Sequence, residues 1–242
     1  MKNPNQLISI IIPVFNESES IGYLLDEVLN VMQNNKFNCE LIVVNDGSND
    51  NTSTVLDELT IKIKELSVIS LRKNYGQTAA MAAGFDNSKG EIVITLDGDL
   101  QNDPNDIPKL ISHINEGYDL ICGWRYERKD KLINRRIPSK IANKLIANVT
   151  GLKLHDYGCS LKAFKKEIVD DIKLYGELHR FLPVLANIEG AKIKEIKVNH
   201  RSRKYGSSKY GIDRTFRVLM DLLTVWFMTK FLTRPMYGFG FF

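Results

Sequence analysis

Ile92-Val93-Ile94-Thr95-Leu96-Asp97-Gly98-Asp99-Leu100-Gln101 decides how this chain is read. Ile92 to Leu96 is an apolar run, the pattern of a buried strand. It breaks off into two carboxylates separated by one small residue. Side chains two apart in an extended chain share a face. Asp97 and Asp99 can therefore converge on one point just past the strand's carboxyl end. Two like charges held that close repel unless something positive lies between them. Carboxylate oxygens suit magnesium or manganese, and magnesium completes its shell with water and substrate phosphates. A strand-to-helix turn with Asp as helix cap explains the same residues. On this stretch alone both readings stand.

Around it, strand and helix patterns alternate. Apolar strands are expected at Leu7–Val14, Glu40–Val44, Val68–Leu71, Ile92–Leu96 and Tyr118–Cys122. Between them lie a helix capped by Ser18 or Ser20 and running to Asn34, one starting at Asp50 or Thr52, an Ala-rich one over Thr78–Asn87, and one over Asn105–Glu116. Ile21, Leu24, Leu25, Val28, Leu29 and Met32 share one helical face. Strands alternating with helices over short loops imply a doubly wound, mostly parallel α/β sheet flanked by helices. Ligands of such sheets bind outside the carboxyl ends of the strands, where every suggestive turn of this chain falls. The second half is less regular: a basic amphipathic helix over Ile133–Val149, a strand at Cys159–Phe164, a helix at Phe181–Glu189, a strand at Ile193–Asn199 and a long helix over Ile212–Phe231.

The 242 residues are 43% hydrophobic, enough for a real core, and carry a net charge of +4. That charge is uneven. Arg125, Arg128, Lys129, Lys131, Arg135, Arg136, Lys140 and Lys144 crowd one segment, and Arg201, Arg203, Lys204, Lys209, Arg214 and Arg217 begin another. Clustered bases point to phosphate, nucleic acid or an anionic membrane surface. They are not interleaved with a stacking platform, which argues against nucleic acid. Cys39, Cys122 and Cys159 have no metal-ligand spacing and read as small buried hydrophobes of a reducing compartment. No apolar run reaches the about 18–20 residues of a membrane span. Yet Leu222–Met228 and Met236–Phe242 are rich in aromatics and lie beside Lys230 and Arg234, the composition of an interfacial segment.

Each turn has its own chemistry. After the first strand, Phe15 can stack on a base and Glu17 can accept from a ribose or base. After the second, Asp46 can accept from a base N–H, while Gly47 lets the backbone come close. After the third, Arg72 and Lys73 can meet phosphate; an exposed basic loop is the plainer reading. No glycine-rich phosphate loop and no dinucleotide fingerprint is present. The pyrophosphate of a bound nucleotide would have to be neutralised by metal and basic side chains.

Asn45-Asp46-Gly47-Ser48 and Leu96-Asp97-Gly98-Asp99-Leu100-Gln101 with Pro104 together resemble the inverting family 2 glycosyltransferases. Within them the chain is similar to the polyprenyl-phosphate sugar transferases: dolichol-phosphate mannose synthase and the bacterial undecaprenyl-phosphate glucosyl and aminoarabinosyl transferases. Asn74-Tyr75-Gly76-Gln77, Asp156-Tyr157-Gly158-Cys159, His179-Arg180-Phe181 and Arg203 with Gly206-Ser207-Ser208-Lys209-Tyr210 extend the similarity over the whole chain. The resemblance implies a GT-A (Rossmann-like) catalytic domain over 1–210 and amphipathic juxtamembrane helices over 211–242. It implies transfer of a hexose-type sugar, with inversion, from a nucleotide-diphosphate sugar (a UDP-sugar by family prevalence) to a polyprenyl phosphate. Pro13, Phe15, Glu17, Asp46, Gln77 and Asp97 would bind the donor. Asp97, Asp99 and Gln101 would hold Mg2+ or Mn2+. Arg125, Arg203, Ser208, Lys209, His179 and Arg180 would meet the acceptor phosphate. Asp99, Arg125 and Asp156 would form the catalytic group, with Asp156 as base, sugar-orienting carboxylate or structural partner of the Gly158 turn.

Asn45 stands where many relatives have Asp, which bears on base choice. Bacterial relatives usually continue into transmembrane helices; this chain stops at Phe242, so the resemblance implies a truncated or naturally shortened form. The enzyme would work at the cytoplasmic face of the membrane and could pair through its C-terminal helices. A transferase acting on a sugar hydroxyl in glycan assembly is the alternative. It would need a firm general base, whereas a phosphate acceptor, with a second pKa of about 6, is already ionised near neutrality.

Overall fold

β1 (Leu7–Val14) is apolar at almost every position because both its faces are covered. In the computed structural model, which describes residues 6–126, 146–148, 150–174, 176–202, 204, 220, 224 and 227, β1 lies inside a seven-stranded sheet. The chain continues through α1 (Ile21–Asn34), β2 (Asn38–Asn45), α2 (Thr52–Lys62), β3 (Leu66–Ser70), α3 (Gln77–Asn87) and β4 (Ile92–Thr95). A short 3-10 turn at Pro104–Asp106 leads into α4 (Ile107–Asn115) and β5 (Leu120–Arg125). β6 (Lys162–Lys165), α5 (Lys166–Asp171), a 3-10 turn at Leu178–Phe181, α6 (Leu182–Ile188) and β7 (Ile193–Val198) follow.

The strand order is β3-β2-β1-β4-β6-β5-β7. β1 pairs in parallel with both β2 and β4, so the order reverses between β1 and β4. β6 alone runs antiparallel, wedged between β4 and β5. Apolar side chains of one sheet face pack on α1, α2 and α4 through Leu24, Leu25, Val28, Leu56, Leu110 and Ile111. Those of the other pack on α3, α5 and α6 through Met81, Phe85, Val169, Leu182 and Leu185. The expected α/β sandwich is therefore present.

Several expected boundaries are corrected. β5 reaches Arg125 rather than ending at Cys122, because Gly123, Trp124 and Arg125 pair with Ile196, Lys197 and Val198 of β7. β2 begins at Asn38 and β3 at Leu66, two residues earlier than their apolar runs, since ladder pairing extends past the apolar positions. β6 starts at Lys162, not Cys159, because Asp156–Leu161 serve as a turn. Ser20 precedes α1 but does not cap it; its Oγ donates to the Glu17 side chain at 2.8 Å. Of the basic helix over Ile133–Val149 only 146–148 are described, and they are helical. The long helix over Ile212–Phe231, the aromatic ending Met236–Phe242, and any pairing through them lie outside the described residues. Among the described residues no helix is long and apolar enough to cross a membrane.

The three thiols are free, with Cys122 and Cys159 fully buried and Cys39 half-buried. Burial pushes the Cys122 thiol up to about 12 and the Cys159 thiol to about 11. Only the thiolate attacks an alkylating or disulfide reagent. At pH 8 the native protein should leave both unlabelled by a disulfide reagent over an hour, and denaturation should release them. Mass spectrometry of the native digest checks this.

Candidate active site

The reversal between β1 and β4 creates a crevice at the carboxyl ends of those two strands, the usual ligand position in such sheets. The exit of β1 carries Phe15, Asn16 and Glu17; the exit of β4 carries Asp97, Gly98 and Asp99. The two exits touch. A Cβ on Gly98 would lie 2.7 Å from Val14 Cγ1, so the close approach of the acidic turn to β1 needs glycine. Leu100, directly after Asp99, is held at φ 61° with its side chain buried. A bulky residue in the left-handed region is strained, and such strain persists only where the surroundings enforce it. Here it turns the chain sharply behind the acidic pair.

Asp97 is half-buried and its Oδ1 accepts from Gln77 Nε2 at 2.7 Å. Gln77 opens α3, so the helix start orients the carboxylate. Asp99 is buried, and its Oδ1 accepts the Gln101 backbone N–H at 3.1 Å. Gln101 is tied to the far end of the chain: its carbonyl accepts the Arg201 N–H at 2.8 Å. The Arg201 guanidinium bridges Glu27 at 2.6 Å and Asp103 at 2.7 Å, which staples this segment to α1. Arg201 is thus engaged structurally.

Among the described residues, no three His, Cys, Asp or Glu side chains gather into a metal cage. What Asp97 and Asp99 offer is a pair of carboxylates at an open strand end. That donor set fits a magnesium-type ion sharing its shell with water and phosphate oxygens.

The rim beside the acidic turn is laced by local bonds. Ser48 Oγ accepts the Asn16 N–H and Thr52 Oγ1 accepts the Glu17 N–H, both at 2.9 Å. Pro13 is buried in the strand, while Phe15 and Glu17 are half-buried at the rim. Asp46 is buried, and its two oxygens accept the Tyr75 and Gly76 backbone N–H groups at 2.7 and 2.9 Å. The residue expected to read a base thus also anchors the loop after β3. Gly47, beside it, has φ 65°, and a Cβ there would lie 2.3 Å from the Lys73 carbonyl carbon. Gly47→Ala should therefore destabilise by about 1–3 kcal/mol or more, from the left-handed backbone alone before the clash. A lowered urea midpoint measures it. Arg72 and Lys73 are exposed, with the Lys73 ammonium over the Tyr75 ring.

Across the crevice, Arg125 at the end of β5 meets Asp156. Nε donates to Oδ2 at 2.6 Å and Nη2 to Oδ1 at 2.8 Å, a two-pronged pair. Both side chains are largely buried, at 14% and 9% exposure. Burial disfavours the guanidinium charge, but the hydrogen bond and charge of Asp156, with the nearby charge of Asp97, hold its pKa above the ordinary value. Arg125 thus lies within electrostatic reach of the acidic turn. The sequence pointed to Arg125 and Asp156 separately; the structure makes them one unit. Gly158 sits against that pair, its Cβ position 3.4 Å from Arg125 Nη2.

His179 is buried, with Nδ1 at 2.7 Å from Thr78 Oγ1, which ties the 3-10 turn at Leu178–Phe181 to the start of α3. Arg180 beside it is half-buried. Arg203, Ser208 and Lys209 lie outside the described residues. Sequence reasoning missed the Gln77–Asp97 bond and the Thr78–His179 bond, both of which join α3 to distant segments. No local pattern marks such pairs.

The sequence model of "Glycosyl transferase family 2" matches residues 9–173. The chain is 46% identical over 239 residues to the dodecaprenyl-phosphate galacturonate synthase of Rhizobium johnstonii, covering 96% of this chain and 70% of that one. It is 40% identical to the undecaprenyl-phosphate 4-deoxy-4-formamido-L-arabinose transferase of Proteus mirabilis, covering 90% and 67%. Among solved structures, glucosyl-3-phosphoglycerate synthase from Mycobacterium tuberculosis with Mn2+ and uridine-diphosphate-glucose superposes with a TM-score of 0.68 at 15% identity, over 92% of this chain and 78% of that one. Mannosyl-3-phosphoglycerate synthase from Rubrobacter xylanophilus gives a TM-score of 0.73 at 14% identity, over 91% and 73%. These similarities give the sheet its GT-A character, and with the family match they show that the chain belongs to glycosyl transferase family 2 and is a glycosyltransferase.

Proposed function

We propose that this glycosyltransferase moves a sugar, with inversion, from a nucleotide-diphosphate sugar to a polyprenyl phosphate at the cytoplasmic face of a membrane. The observation that carries the reading is the pairing of Arg125 with Asp156 across the crevice from Asp97 and Asp99. A hydroxyl acceptor would need a carboxylate at liberty to take its proton. Both oxygens of Asp156 are instead bridged by one guanidinium. A phosphate acceptor needs no such base, because it arrives ionised, and it gains from a fixed cation that aligns it. The high identity to two polyprenyl-phosphate transferases points the same way.

On this reading Phe15, Glu17 and Asp46 border the nucleoside, and Gln77 holds Asp97 toward the diphosphate. Asp97 and Asp99, with Gln101, would hold Mg2+ or Mn2+, which would add positive charge beside the leaving diphosphate. Arg125 faces the incoming phosphate, with His179, Arg180, Arg203, Ser208 and Lys209 as further contacts. Asp156 keeps Arg125 in place. A uridine nucleotide is the favoured donor, in keeping with the uridine-diphosphate-glucose held by a protein of the same fold.

A thermal-shift panel tests the donor side. Ligand at 100 times its Kd adds about 2.7 kcal/mol of stability. One nucleotide sugar together with Mn2+ should raise the melting temperature by several degrees, and neither component alone should match it. An equal shift from Mn2+-free nucleotide sugar would overturn the metal assignment.

A further inference from the structure

β7 brings a buried carboxylate to the back of the site. Glu195 lies beside Cys122 of β5 in the parallel ladder, and its side chain is only 9% exposed. It collects the amide edge of the turn that carries Asp156. Its Oε1 accepts the His155 N–H at 2.9 Å and the Asp156 N–H at 2.8 Å. Its Oε2 shares the His155 N–H at 2.9 Å and lies 2.7 Å from His155 Nδ1, which in this pairing is the donor. The His155 ring stacks on Trp124 with centroids 4.1 Å apart and planes 14° from parallel, which fixes the ring's orientation.

The opposite edge of the same turn is held by a cation. Lys162, 3% exposed on β6, donates from Nζ to the carbonyls of Tyr157, at 3.4 Å, and Cys159. A buried anion gathers the N–H groups of residues 155 and 156, and a buried cation gathers the carbonyls of 157 and 159. Both come from strands, β7 and β6. A buried charge is costly unless its hydrogen bonds are satisfied. Here each charge is satisfied by the backbone of this one turn.

We infer that Glu195 is a positioning residue of the acceptor side: with Lys162 opposite, it holds the Asp156 turn so that Asp156 presents the Arg125 guanidinium in a fixed orientation. This rests on the proposed role of Arg125 toward the acceptor phosphate. Glu195→Leu is the informative variant, because it keeps a side chain of similar size but has no oxygen to accept the two backbone N–H groups, both of which now donate to Oε1. Misplacing a catalytic group by about 1 Å can cost about 100-fold in rate. E195L should therefore lower kcat by about 10- to 100-fold and raise the acceptor KM, with the donor KM within about twofold of the parent. Glu195→Asp, which keeps the carboxylate, should recover part of the loss.

Hydrogen exchange supplies a second, substrate-free readout. The His155 and Asp156 amides should be protected in the parent and lose protection in E195L. Unchanged kcat and acceptor KM, or a loss shared equally by donor and acceptor terms in step with the folded fraction, would overturn the inference. If the parent forms no polyprenyl-phosphate product, the proposed function falls instead. The exchange result then still decides: protection retained in E195L removes the clamp, and protection lost supports it.

Discussion

Asp97→Asn is expected to cut sugar transfer by about 100- to 1,000-fold, the scale seen when one preorganised electrostatic contact to developing charge is removed. The substitution keeps the shape of the side chain, and an amide oxygen can still accept from Gln77 Nε2, now at 2.7 Å from Oδ1. What it removes is a negative charge at the open end of β4, half of the pair that would hold a divalent ion. Substitutions at partly exposed sites away from the core change stability by about 0.5 kcal/mol or less. The melting temperature should therefore move by about 2 °C at most. Excess EDTA added to the unaltered protein should reproduce the loss, and Mn2+ should restore it. Transfer by D97N within threefold of the parent would remove Asp97 from the site.

Asp156→Ala is expected to act on stability as well as on rate. It leaves the Arg125 guanidinium, 14% exposed, without the carboxylate that now meets it at 2.6 and 2.8 Å. Removing one partner of a buried ion pair costs about 3–5 kcal/mol. For a chain of this length that is a fall of about 10 °C in melting temperature. Replacing both partners by apolar residues of similar size is often neutral for stability. The double variant Arg125→Met with Asp156→Leu should thus melt nearer the parent than D156A does. It should still fail to transfer, because the cation proposed to face the acceptor is gone. Calorimetry on the two variants separates the structural part of the pair from its chemical part. A double variant that transfers normally would show that the pair only supports the fold.

Much of this architecture is legible along the sequence. β1, β2 and β4 announce themselves as apolar runs because both faces of a parallel sheet are covered there, and each run ends where polar turn residues begin. The alternation of Asp97, Gly98 and Asp99 after such a run places two carboxylates together without any knowledge of the sheet. The direction of β6 is another matter. Lys162–Lys165 has only Ala163 and Phe164 as apolar residues, and a strand's own pattern does not encode which way its neighbours run. Its insertion between β4 and β5 brings Asp156 back to Arg125, 31 positions earlier in the chain. The pair therefore could be suspected as two site residues but not as partners. Glu195 was hidden for a similar reason. In Ile193-Lys194-Glu195-Ile196-Lys197-Val198 it reads as one polar residue on a half-exposed strand. Only the turn folded over it makes it a buried anion. Asp46 shows the converse: its place after the second strand marks its side chain in the sequence, and the structure adds that it anchors the Tyr75–Gly76 backbone.

The most direct test of the central claim is a transfer assay with a radiolabelled nucleotide sugar, Mn2+ and a polyprenyl phosphate in detergent, scored by partition of label into the organic phase. Label should enter that phase with the polyprenyl phosphate and not with the corresponding polyprenol, and D97N should lower it by about 100- to 1,000-fold. Label that stays in the aqueous phase while a sugar hydroxyl acceptor becomes glycosylated would contradict a lipid phosphate as the acceptor.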